Sequence, residues 1–96
     1  MEFRTRRETI GGDVYSLREL SGAAVEAAQE QSSAARQGYA LIALSLLDGT
    51  GAPMFVIDRV DAGVAHVMSL PARISQGLTA AVEALNATDL DDARKN

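Results

Sequence analysis

From Phe3 to Leu17 the chain alternates. Phe3, Thr5 and Arg7 are interleaved with charged residues, and Val14, Tyr15 and Leu17 resume an extended pattern after Ile10-Gly11-Gly12-Asp13. This alternation predicts two strands, and paired glycines before an Asp tolerate the positive φ that a tight hairpin connection demands. The strands are short and mixed in character, so a two-stranded ribbon packed on helices is expected in place of a full sheet.

At Leu20-Ser21-Gly22 the period changes. Ser21 reads as an N-cap, followed by the helix formers Ala23, Ala24, Val25, Ala27 and Ala28. Gln31-Ser32-Ser33 is polar and predicts a break with Ser33 as the next cap; the alternative is one continuous helix, since no Pro or Gly intervenes before Gly38. The next helix, Ala34 to Leu47, is apolar on every side from Tyr39 onward, which places it at the domain centre or gives one face to another chain. Asp48-Gly49-Thr50-Gly51-Ala52-Pro53 ends it, with Gly49 expected as the left-handed residue after the helix.

Met54-Phe55-Val56-Ile57 then reads as a strand-like connector or a packed loop. Asp58 and Asp61 predict a capped, acidic start to a helix carrying Val60, Val64, Val67 and Met68 and ending near Ser69. Pro71 suits a first helical position, and Ile74, Leu78, Ala81, Val82 and Leu85 form an amphipathic stripe. Asn86 is expected to end that helix, and 89–96 to be a polar tail whose one core-type residue is Leu90. The expected fold is therefore mostly α: one small domain with a short N-terminal β-hairpin (1–20), about four helices (21–88) and a polar tail (89–96).

Composition narrows the function classes. At 96 residues there is room for one domain, and 47% hydrophobic with 23% charged residues is globular composition. Aromatics are only 4%, which argues against stacking platforms for bases, and a net charge of −4 disfavours nucleic-acid and anionic-membrane surfaces. With no cysteine there are no disulfides, thiolate metal sites or cysteine nucleophiles. No signal peptide is read, and the nine-residue apolar stretch Tyr39 to Leu47 is too short for a bilayer needing about twenty. A soluble, cytoplasmic protein is expected.

Candidate chemistry is sparse. His66, the single histidine, lies on the flank of an apolar stripe with no cysteine to help it hold zinc. Asp48-Gly49-Thr50-Gly51-Ala52 brings to mind the Asp-Thr-Gly-Ala of retroviral aspartic proteases, but Gly49 displaces the Asp by one residue and an apolar helix precedes it. A haloacid-dehalogenase-type Asp-Gly-Thr would need a second Asp where Leu47 stands, so a turn is the expectation. Asp89, Asp91 and Asp92 lack the Gly and terminal Glu of a calcium loop. Arg4, Arg6 and Arg7, flanked by Glu2 and Glu8, read as the charged face that protects an edge strand. No enzyme, cofactor or metal is expected.

One arrangement carries a resemblance. Val14-Tyr15-Ser16-Leu17-Arg18-Glu19-Leu20-Ser21-Gly22 resembles the lead-in to the first helix of tail assembly chaperones from long-tailed phages and prophages. Ala43-Leu44-Ser45-Leu46-Leu47-Asp48-Gly49-Thr50-Gly51-Ala52-Pro53-Met54-Phe55 is similar to a later motif of that family, although relatives more often have an acidic residue where Gly49 stands. Leu70-Pro71, Leu85-Asn86, Asp91-Asp92 and Lys95-Asn96 follow in matching order, so the resemblance spans nearly the whole chain.

The resemblance implies a mostly helical chaperone that binds the tape measure protein, a long hydrophobic helical chain. It would keep that partner soluble and help tail tube subunits assemble around it, in the host bacterial cytoplasm and outside the mature virion. Self-association is expected, through the helix from Tyr39 to Leu47 or the hairpin edge. Family members are commonly made in two forms by frameshifting, and Arg94-Lys95-Asn96 can be encoded on a slippery codon run. Met54, Phe55, Val64 and Met68 are the expected partner-binding residues, the methionines because a flexible thioether adapts to varied surfaces. Two alternatives stand beside this reading: a small structural tail component or adaptor retained in the particle, and a minimal enzyme using Asp48.

Overall fold

The computed structural model describes residues 2–95, with side chains described through Ala87. Strands β1 (Thr5–Ile10) and β2 (Asp13–Arg18) form the hairpin, paired from Thr5 opposite Arg18 to Ile10 opposite Asp13. Gly11 and Gly12 make the two-residue turn with φ of +62° and +89°. Positive φ at both positions matches the twist of the flanking strands, as hairpin turns require.

Helix α1 (Gly22–Gln29) starts where Ser21 Oγ accepts the Ala24 N–H at 3.1 Å, and α2 (Ala34–Ser45) where Ser33 Oγ accepts the Arg36 N–H at 3.1 Å. Both serine caps are thus as the sequence predicts, and the continuous helix through the serines is not formed. α2 occupies the centre: Ala40, Ile42, Ala43, Leu44 and Ser45 are buried. Ser45 satisfies its buried hydroxyl by donating to the Leu41 carbonyl at 2.9 Å.

The apolar run does not stay helical to Leu47. Leu46–Leu47 forms a short strand, β3, antiparallel to β2 opposite Leu17 and Ser16, so the ribbon is a three-stranded sheet in the order β1-β2-β3. Pairing with a strand distant in sequence overrides the helical propensity of two leucines. The following loop also differs from expectation, because its left-handed glycine is Gly51 (φ +84°) and not Gly49. Asp48 builds the turn itself, accepting hydrogen bonds from the N–H groups of Thr50 and Ala52.

A single 3-10 turn, Ile57–Arg59, leads into α3 (Val60–Met68). Asp58 and Asp61 lie in the first turns of these two segments, but neither is a cap: Arg59 holds the position before α3 and makes no capping side-chain bond. Their carboxylates act through the helix dipole alone. α4 (Ala72–Lys95) begins just after Pro71, whose carbonyl accepts the Ile74 and Ser75 N–H groups.

α4 runs past Asn86, where the sequence placed its end. Asn86 Nδ2 donates to the Val82 carbonyl at 2.8 Å, while Oδ1 accepts the Leu20 N–H at 3.1 Å. The residue ties the hairpin exit to the helix, and no Gly or Pro follows to stop the turn. The side chains of the expected polar tail lie outside the described residues.

The main core joins Leu17 of the sheet, Ile42, Ala43 and Leu46, Val67 of α3 and the α4 stripe Ile74, Leu78, Ala81, Val82 and Leu85. A smaller cluster, Ala28, Ala40 and Val64, fastens α1 and α3 to α2. The inward-facing strand residues Ile10, Tyr15 and Leu17 meet the helices, which leaves the opposite face of the sheet open.

Candidate protein-interaction surface

The segment from Met54 to Ile57 is neither strand nor packed loop throughout. The Met54 N–H donates to the Leu46 carbonyl at 2.9 Å, which pins the segment to the sheet edge. Beyond it Phe55 turns inward: its ring lies 5.5 Å from that of His66, and it packs against the main core. Gly63 makes this possible, because a Cβ there would come within 2.7 Å of the Ala43 Cβ and 3.1 Å of Phe55 Cγ. Met54, Val56 and Ile57, with 43%, 53% and 40% of their surface accessible, remain outside.

Two concave areas adjoin this segment. One, about 370 Å³, lies on the open sheet face between Arg7, Val14, Ser16, Leu47 and Met54. The other, about 180 Å³, is walled by Arg18, Ala24, Leu44, Phe55, Val56 and Ile57. A third groove of about 320 Å³, lined by Leu20, Val25, Leu41, Val82 and Ala87 with the polar Glu83 and Asn86 at its side, runs between α1, α2 and α4.

The four residues singled out from the sequence separate in space. Met54 lies over the sheet, and Phe55 is half-buried beside His66. Val64 is fully buried between α2 and α3 and presents nothing to a partner, because helical spacing placed it on the inward stripe with Val67. Met68 is exposed at the C-terminal end of α3, where its Sδ receives the Arg36 Nη1 at 3.7 Å. Sequence reasoning missed Val14, Val56 and Ile57. Val14 was legible from strand alternation, since Tyr15 and Leu17 face inward and so direct it outward.

The Asp48 loop is a turn. One carboxylate oxygen accepts from the Thr50 hydroxyl at 2.6 Å, the Thr50 N–H at 2.8 Å and the Ala52 N–H at 3.1 Å. The Thr50 hydroxyl first, then these backbone donors, hold its pKa below the usual carboxylate value. A general acid would need the opposite shift. His66 is exposed and meets the Phe55 ring at a tilt of 44°. No helix among the described residues is long and apolar enough to cross a membrane.

This arrangement of hairpin, short third strand and four helices has a counterpart of known structure. The chain is similar in fold to the bacteriophage HK97 tail assembly chaperone. The two superpose with a TM-score of 0.60 over 88% of this chain and 87% of the other, at 24% sequence identity. The likeness is one of fold, and it reaches the same kind of protein that the motifs around Leu17 and Asp48 resemble. No protein-family model matches the sequence, and no curated protein does.

Proposed function

We infer that this protein is a phage tail assembly chaperone. It binds the tape measure protein, keeps that long apolar chain soluble, helps recruit tail tube subunits, and leaves before the particle is complete. The observation that carries the reading is the Met54–Ile57 segment, which keeps three large apolar side chains at the surface of a fold similar to the HK97 tail assembly chaperone. Exposed methionine and branched aliphatic side chains suit a holdase, because they cover apolar helices without demanding one sequence. The net charge of −4 opposes aggregation of the loaded chaperone. Self-association would use the free edge of β1 or the open face of the sheet.

Co-expression with the tape measure protein of the same genome tests this. The expected result is tape measure protein moving from the insoluble to the soluble fraction together with the chaperone, and no chaperone in purified particles by mass spectrometry. Chaperone persisting at constant stoichiometry in finished particles would instead favour a structural tail component.

A further inference from the structure

Arg18 differs from the other arginines of the hairpin in its buried, unpartnered side-chain nitrogen; the lack of an ion pair among the described residues it shares with Arg7. Arg4 and Arg6 face the carboxylates of Glu19 and Glu8. Arg18, at the end of β2, has no carboxylate partner among the described residues, and its Nε–H is buried without a hydrogen-bond acceptor. Its guanidinium carbon lies 4.8 Å from the centre of the exposed Phe3 ring, within cation–π range. The same residue walls the 180 Å³ cavity formed with Ala24, Leu44, Phe55, Val56 and Ile57.

We propose that Arg18 is the polar anchor of this apolar surface and takes a carboxylate from a protein partner, one borne by a Glu or Asp next to an aliphatic side chain. A guanidinium stays charged at all physiological pH, and its Nε and Nη hydrogens form a planar fork that matches a carboxylate. The Nε–H is closed off in the free chain, so it gains the acceptor it lacks only as the guanidinium swings out to meet the carboxylate. Besides Arg18 the one polar side chain of the lining is Ser21, whose Oγ already accepts the Ala24 N–H and has a single hydrogen to give, so a phosphate, with three acceptor oxygens to satisfy, is less well met than a carboxylate. The cavity accepts the neighbouring aliphatic group. In a chain of net charge −4, an acidic segment is repelled by most of the surface, so this cation fixes the register of the bound partner.

The inference rests on the chaperone reading only for the identity of the partner, and its chemistry is tested without that partner. The probes are hexanoate and hexan-1-ol, which share an apolar tail and differ in the carboxylate. Each is titrated into the ¹⁵N-labelled full chain while the Arg18 Nε–Hε resonance and the Val56 and Ile57 amides are followed by NMR. Hexanoate is expected to shift all three saturably and at least tenfold more tightly than hexan-1-ol, with the response lost in Arg18→Gln and partly kept in Arg18→Lys. Equal affinity for the two probes, no saturable binding, or a response that survives Arg18→Gln overturns the proposal. If Arg18→Gln does not fold, the comparison of probes on the unaltered chain decides. A protein that takes hexanoate at Arg18 but leaves tape measure protein insoluble would sink the functional reading and keep this one.

Discussion

Gly63 sits in mid-helix, where alanine would gain about 1 kcal/mol of helix propensity. The close approach of α3 to α2 opposes that gain, because the added methyl would sit 2.7 Å from the Ala43 Cβ and against the Phe55 ring. Overpacking of this kind costs about 1–3 kcal/mol, so Gly63→Ala is expected to lower the urea midpoint, and an unchanged or raised midpoint would refute the contact. Asp48 works through hydrogen bonds instead of packing. Its depressed pKa means that the folded state binds the proton less readily than the unfolded chain. The stability it adds is therefore present above the unfolded pKa of about 3.9 and lost as pH falls through the lower folded value. Asp48→Asn, which keeps an acceptor but loses the charge, is expected to lower the melting temperature at pH 7 less than Asp48→Ala does. The gap between Ala variant and parent narrows below about pH 4. The turn was legible in the sequence, because Asp, Thr and Gly at those spacings have few other uses. The choice of Gly51 over Gly49 was not, because it depends on Asp48 capturing the Thr50 and Ala52 amides.

At the scale of elements, what is encoded locally could be read and what depends on distant partners could not. Ser21 and Ser33 mark the helix starts through bonds that span three residues, and the Ile74-to-Leu85 stripe buries as its spacing predicts. β3 escaped because nothing within Leu46-Leu47 distinguishes a helix end from a strand; the pairing with Ser16 and Leu17 decides it. Asn86 misled for a similar reason. Its weak helix propensity suggested a stop, while its amide bridges Leu20 and Val82 across 66 and 4 positions in the chain. Asn86→Ala leaves the Leu20 N–H of a partly buried segment without its acceptor, at a cost of about 1–3 kcal/mol against a few tenths gained in propensity. A lower urea midpoint with an unchanged slope is expected, and Asn86→Asp, which keeps the acceptor, should recover part of it. Ser33→Ala is expected to cost about 1 kcal/mol, measured the same way.

The whole molecule has a radius of gyration of 12.8 Å, close to the roughly 13 Å of a compact chain this size. Its two core clusters take apolar side chains from the sheet and from each of the four helices, and yet Val14, Met54, Val56, Ile57 and Met68 stay exposed. Singly, such residues are ordinary; Val14, Met54, Val56 and Ile57, along one segment and the adjoining sheet face, form a surface that the fold does not need for itself, and Met68 is exposed apart from them at the end of α3. The sequence pointed to Met54, Phe55 and Met68 through side-chain chemistry, but Val64 obeyed its helical period and went inside. The sheet face became visible only once the third strand and Met54 were placed beside Val14.

Because Val56 and Met68 touch so little of the interior, Val56→Glu/Met68→Glu is expected to change stability by no more than about 0.5 kcal/mol per site, read from thermal melts. The decisive measurement is the soluble fraction of tape measure protein co-expressed with the unaltered chain and with that double variant. The account predicts that the unaltered chain brings the tape measure protein into solution and the equally stable variant does not. Equal solubilisation by both, or by neither, would contradict it.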